Sequence, residues 1–206
     1  MFRKNIKYKN PNIYLIKQNK FHRDWDSLYK NIKDPWNQNQ NFANDEGVII
    51  IKSFINRFAK RKKRTRLLDI GAGSGSLKKI IDKKILYTGT DLHKNNNNII
   101  YDDVTIFNKR YRNKFDILTC LKSIYYVGDK IHTVLKNLKS YVKKNGFLII
   151  SYNLKKNSFS NKYLTDLKLR RLLIKNFKEI FTIEINRESY LKNCKNEKLT
   201  IFIFQK

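Results

Sequence analysis

The sequence predicts an α/β fold: a mostly parallel seven-stranded sheet with an antiparallel edge strand and helices on both faces. Three observations point there. Strand-like and helix-like segments alternate through most of the chain. One hydrophobic strand runs straight into glycines at 71, 73 and 75, where open α/β sheets hold their ligands. The chain also closes on two strand-like segments bracketing a polar hairpin connection, as an antiparallel addition would.

The elements follow in order. Residues 21–42 carry aromatics and turn formers, among them Trp25, Tyr29 and Asp34-Pro35-Trp36, with Pro35 ending any preceding helix. Val48, Ile51, Phe54, Ile55 and Phe58 lie at helical spacing and predict a sheet-packing helix, finished by a solvated basic turn over 60–64. Strands are expected over 66–70, 85–90, 99–101, 115–121 and 146–152. A short helix over 76–82 follows the glycine loop, and Ile131, Val134, Leu135, Leu138 and Val142 mark an amphipathic helix. After a polar linker over 153–161 come a helix carrying Leu164, Leu167, Leu172, Leu173 and Phe177, then strands over 179–185 and 198–204. No internal repeat or second domain is visible; 1–206 reads as one domain, with 1–45 an N-terminal arm or lid and 46–206 the core.

With 206 residues and 41% hydrophobic content the chain can bury one core, while thirteen Phe and twelve Tyr argue against wholesale disorder. No segment is apolar enough for a signal or a membrane span. Cys120 and Cys194 form no disulfide framework and no metal-ligand spacing, so a reducing cytoplasmic setting and no metal are expected. His22, His93 and His132 lack a triad or metal pattern. The formal net charge of +28 has two readings. It suits a polyanion such as RNA or an anionic membrane surface. Yet Lys, Asn and Ile are inflated together, as in 95–98, which A/T-biased codons alone would produce.

Chemistry concentrates in Leu67-Leu68-Asp69-Ile70-Gly71-Ala72-Gly73-Ser74-Gly75. Alternating glycines admit close approach of a ligand to the backbone. A dinucleotide fingerprint would place a further glycine where Ser76 stands, so the nicotinamide pattern is not met. Twenty residues past Gly71, Asp91 ends the next strand, where an acid accepts ribose hydroxyls.

This loop resembles the first motif of class I S-adenosylmethionine-dependent methyltransferases, acid-x-Gly-x-Gly-x-Gly, and Asp34-Pro35-Trp36 with Tyr125-Tyr126 is similar to the nodulation-type and other sugar-amine N-methyltransferases. The resemblance covers about 66–152 plus the closing strand pair and implies a Rossmann-like fold with S-adenosylmethionine as donor. It further implies that Asp69, Gly71, Ala72, Gly73 and Gly75 form the donor loop and that Asp91 binds the ribose. Asp103, with Asp102 as the lesser alternative, would reach the adenine amino group, and Leu92 and Val104 would lie beside the ring. Leu121, Lys122, Tyr125 and Tyr126 would approach the methyl, with Trp36 closing the pocket. Tyr125 and Tyr126 could equally pack beneath the next helix, and Trp36 could anchor the arm.

Two departures stand out: Lys122 occupies a position where many relatives carry an acid, and residues 93–98 replace the expected helix between the second and third strands. The functional expectation is methyl transfer to nitrogen or oxygen of a small molecule, such as an amino sugar, with no confident general base. The alternative is an RNA methyltransferase using the basic surface, against which stands the lack of an RNA-binding module or a flipped-base motif.

Overall fold

The computed structural model describes residues 12–17, 20–21, 24–32, 42–94, 97–155, 164–186 and 197–206. The main elements, in chain order, begin with helices α1 (Trp25–Asn31) and α2 (Glu46–Lys60) and strand β1 (Thr65–Ile70). Helix α3 (Ser76–Ile80) and strands β2 (Ile85–Asp91), β3 (Ile99–Tyr101) and β4 (Phe115–Leu121) follow. Helix α4 (Ile131–Tyr141), strand β5 (Val142–Lys155), helix α5 (Asp166–Ile174) and strands β6 (Lys178–Asn186) and β7 (Glu197–Gln205) complete the fold. Ahead of α1, a helical turn (Asn12–Leu15) precedes a two-residue antiparallel pair.

The seven strands run in the order β3-β2-β1-β4-β5-β7-β6. The first five pair in parallel, while β7 is antiparallel to both neighbours. The expected mostly parallel sheet with antiparallel pairing at one edge is therefore present, the reversed strand standing one place in from the border and β6 outermost. Order reverses between β1 and β4, the switch point at which such sheets open a ligand crevice.

Successive strand residues serve opposite layers. Leu68, Leu118, Leu148 and Phe204 meet Val134, Leu135 and Leu138 of α4 and Leu169 and Leu173 of α5. Leu67, Ile117, Ile149 and Ile203 meet Ile51 and Ile55 of α2 and Leu77 of α3. Helix α2 starts where Asp45 accepts the Val48 N–H at 3.2 Å, and Phe54 and Phe58 pack edge-on against Phe147.

One strand differs from expectation. Strand β5 begins at Val142, before Gly146, because the chain passes directly from α4 into the sheet across an irregularity in its register with β4. Residues 122–127, which follow the strand expected over 115–121, leave the sheet. Lys122 adopts a left-handed conformation (φ 54), its N–H donates to the Ser151 carbonyl at 2.9 Å, and a 3-10 segment, Ile124–Lys130, follows. Among the described residues no helix is long and apolar enough to cross a membrane.

Candidate active site

At the carboxyl ends of β1, β2 and β4 lies a cavity of about 1010 Å³. Small-ligand sites commonly occupy roughly 300–1,000 Å³, so this one stands at the large end of that range.

Its floor is the glycine loop. Gly71, Gly73 and Gly75 all have left-handed φ (68, 56 and 72), which L side chains adopt only at a cost. The loop is tied down by the Ala72 N–H donating to the Thr90 carbonyl at 3.0 Å and the Gly75 N–H to the Ala72 carbonyl at 2.9 Å. A Cβ on Gly71 would stand 2.6 Å from Cβ of Ser123, and Ser123 in turn donates to the Ile70 carbonyl at 3.1 Å.

Asp91 braces the same loop: Oδ2 accepts the Gly73 N–H at 2.8 Å and Oδ1 the His93 N–H at 3.3 Å. Burial raises its pKa, and these backbone donors pull against that rise. Asp69, expected at the ligand, does not line the cavity. Its carboxylate sits between the strands, accepting from the Thr119 hydroxyl at 2.7 Å and the Tyr87 hydroxyl at 2.8 Å. Burial pushes it up to about 6 despite those two hydrogen bonds, and the nearby Asp91 charge adds to the rise. The physical reason for its position is pairing: Asp69 faces Thr119 across β1 and β4, and both its oxygens are taken there.

Beyond β3, Asp102 and Asp103 both line the cavity. Asp103 Oδ1 accepts the Thr105 N–H at 2.8 Å, while Asp102 Oδ1 accepts from the Asn108 amide at 2.9 Å. On the opposite wall, Lys122 Nζ pairs with Asp45 Oδ2 at 2.7 Å, and Asn153 donates to Glu197. Burial raises the hydroxyl pKa values of Tyr125, to about 12, and of Tyr126.

Helix α1 lines the cavity with Trp25, Asp26 and Tyr29. Trp25 packs edge-on against Tyr126 at 5.1 Å, and Tyr29 stacks on His93 at 4.8 Å with 12° between the planes. His93 Nδ1 lies 3.0 Å from Asp26 Oδ1.

Of the residues singled out in sequence, Gly71, Gly73, Asp91, Leu92, Asp103, Val104, Leu121, Lys122, Tyr125 and Tyr126 line this one cavity. Asp69, Ala72 and Gly75 stand behind it, and Trp36 lies outside the described residues. The structure adds Trp25, Tyr29, Asp45, His93 and Glu197. Three of these left a trace in sequence: Trp25 and Tyr29 are four apart, one helical face, and Asp45 is a capping residue three before Val48.

A family model described as a methyltransferase domain matches residues 46–181. No curated protein matches the chain in sequence. Among solved structures, the fold is similar to NodS, an N-methyltransferase from Bradyrhizobium japonicum WM9 solved with S-adenosyl-l-homocysteine. The two share 13% identity over 96% of this chain and 97% of that one, with a TM-score of 0.66. It is also similar to phosphoethanolamine N-methyltransferase 2 of Haemonchus contortus, solved with S-adenosyl-L-methionine (16% identity, 79% of this chain and 52% of that one, TM-score 0.53). The [4+2]-cyclase SpnF shares the fold as well (12% identity, 76% and 80%, TM-score 0.59). Such likeness speaks for the fold, whereas the family match spans well over half the sequence and includes the glycine loop, Asp91 and the Tyr125-Tyr126 wall. The chain belongs to the methyltransferase-domain family.

Proposed function

We propose that the protein moves a methyl group from S-adenosylmethionine to a nitrogen, or alternatively an oxygen, of a small polar acceptor such as an amino sugar or related metabolite. One observation carries this reading: the cavity is acidic in a basic protein. Seven of the seventeen Asp and Glu residues line it, against Lys94 and Lys122 as the only Lys or Arg among its lining residues, in a chain of net charge +28. A sulfonium donor and an amine acceptor are both drawn to such a wall, and a phosphate-bearing acceptor, RNA included, is repelled by it.

The residues at the donor end fit that molecule. Gly71 and Gly73 present bare main chain to its amino acid end. Asp91 faces the ribose hydroxyls, Oδ2 of Asp103 is left for the adenine amino group with Asp102 as its substitute, and Leu92 and Val104 flank the ring. Asp69 acts from behind the loop, through its charge and its grip on Tyr87 and Thr119. When bound, the donor supplies an electrophilic methyl on a cationic sulfur. Leu121, Lys122, Tyr125 and Tyr126 border the acceptor side.

Methyl transfer is a direct displacement, so alignment of the acceptor lone pair with the methyl matters most. Trp25 Nε1 and Asn153 Oδ1 are sealed from solvent without a hydrogen-bond partner, and both residues line the cavity. Buried polar atoms of this kind ordinarily find partners. Calorimetry with S-adenosylmethionine, followed by labelled-methyl transfer to amino sugars, polyols and RNA, tests the assignment. Label in amines is expected; no donor binding, or label entering RNA alone, would overturn it.

A further inference from the structure

The two ends of the sheet carry opposite charge. The cavity collects acids at the carboxyl ends of the parallel strands, while the opposite end is ringed by segments 60–64, 83–84, 109–114, 143–144 and 175–178, which lead into or begin β1, β2, β4, β5 and β6. Together with Lys206 at the end of β7, they hold sixteen of the forty-five Lys and Arg residues and no Asp or Glu. All of these cations but Lys143 and Lys206 are exposed.

The neighbouring acids are already engaged. Asp116 lies between Lys62 at 2.9 Å and Lys143 at 3.1 Å, Glu179 pairs with Arg170, and Asp82 accepts the Lys84 N–H at 2.9 Å. The crowding of like charge is visible at Lys206, whose pKa is lowered by burial and by the Lys139 and Arg112 cations beside it. Codon drift would enrich lysine everywhere alike; it gives no reason for seven acids to line the cavity while the acids beside the other end are held in pairs or turns.

We propose that this basic pole binds the phosphate backbone of a nucleic acid, without base readout and without presenting it for methylation. Six residues of β1 separate pole from cavity by about 20 Å, so a strand held at the pole stays outside the acid-lined cavity. None of the exposed large hydrophobic side chains among the described residues falls in these segments, although Leu86, Phe107, Ile174 and Ile180 lie within two residues of them. The basic segments themselves thus contribute charge rather than base-stacking or lipid-anchoring side chains. What the pole offers is fixed positive charge, the element that releases counterions from a phosphate chain.

The test is fluorescence anisotropy of a labelled random-sequence RNA 20-mer and a DNA duplex across a salt series, beside phosphatidylserine vesicles. It compares the full chain, a pole variant (Lys63, Arg64, Lys84 and Lys144 to Gln) and a matched variant with the same charge removed from helices and their ends (Lys52, Lys79, Lys130 and Lys136 to Gln). The full chain should bind with affinity falling steeply in salt. The pole variant should flatten the slope of log affinity against log salt by about 3, at ~0.7–0.9 per lost phosphate contact, and still bind S-adenosylmethionine as the parent does. The matched variant should keep the parental slope. Equal flattening in both variants would show that net charge alone is at work and overturn the assignment, as would binding to vesicles but to neither nucleic acid.

Discussion

Asp69 offers a direct measurement of the electrostatics beneath the glycine loop. Its carboxyl is raised from 3.8 to about 6, a difference worth about 3 kcal/mol between its two protonation states. Because the folded chain keeps this proton where the unfolded chain has released it, the contribution to stability is full below pH 3.8 and is lost as pH rises through 6. From pH 4.5 to 7.5 the loss comes to about 2 kcal/mol by the same linkage. Asp69→Asn cannot titrate. Whatever fixed offset the amide introduces against Tyr87 and Thr119, the stability of the variant relative to the parent should therefore climb by about 2 kcal/mol over that range. Urea unfolding followed by circular dichroism at the two pH values reads this double difference, in which acids elsewhere cancel. Parallel stability curves would refute the reasoning, since they would mean that the buried carboxyl titrates in the folded protein as it does in the unfolded chain.

Other perturbations separate the donor side from the acceptor side. Gly71→Ala forces a side chain into a left-handed residue and against Ser123; calorimetry should show donor binding lost, and the melting temperature should fall. Asp91→Ala removes the acceptor for the Gly73 N–H and, on our reading, for the ribose; hydrogen bonds to a charged group are worth about 1.5–3 kcal/mol, so donor affinity should drop at least about tenfold. Lys122→Gln breaks the 2.7 Å pair with Asp45, and steady-state kinetics should show a changed KM for the acceptor with donor Kd within about twofold, since on our reading the pair borders the acceptor and not the donor. Tyr29→Ala deletes a ring pair worth about 0.5–1.5 kcal/mol, and amide exchange over Trp25–Asn31 should quicken several-fold.

The sheet was legible because its signals are local. Strands expected over 99–101 and 115–121 have those bounds in the structure, and those expected over 66–70 and 179–185 are off by one residue at one or both ends. Each is a short apolar or alternating run stopped by a turn, which period and composition reveal. The glycine loop was legible for a related reason: left-handed φ at 71, 73 and 75 is a backbone demand that glycine meets without strain. What no local signal marked was the exit from β4. Nothing in Lys122-Ser123-Ile124 marks a left-handed lysine; that conformation is imposed by Ser151, twenty-nine residues later, whose carbonyl and hydroxyl both accept the Lys122 N–H.

The site was legible only where one residue type answers one demand. Asp69 and Asp91 look alike in sequence, each an acid at or near the end of a buried strand. The difference is made across the sheet, where Thr119 and Tyr87 turn inward to take both oxygens of Asp69, whereas Asp91 meets backbone donors and the open cavity. His93 likewise had no partner pattern, because its partners, Tyr29 and Asp26, come from a helix more than sixty residues earlier. Its own backbone N–H reaches Asp91. A single residue thus touches both the Asp91 carboxylate and helix α1, and whatever fixes Asp91 also fixes the platform on which Tyr29 rests.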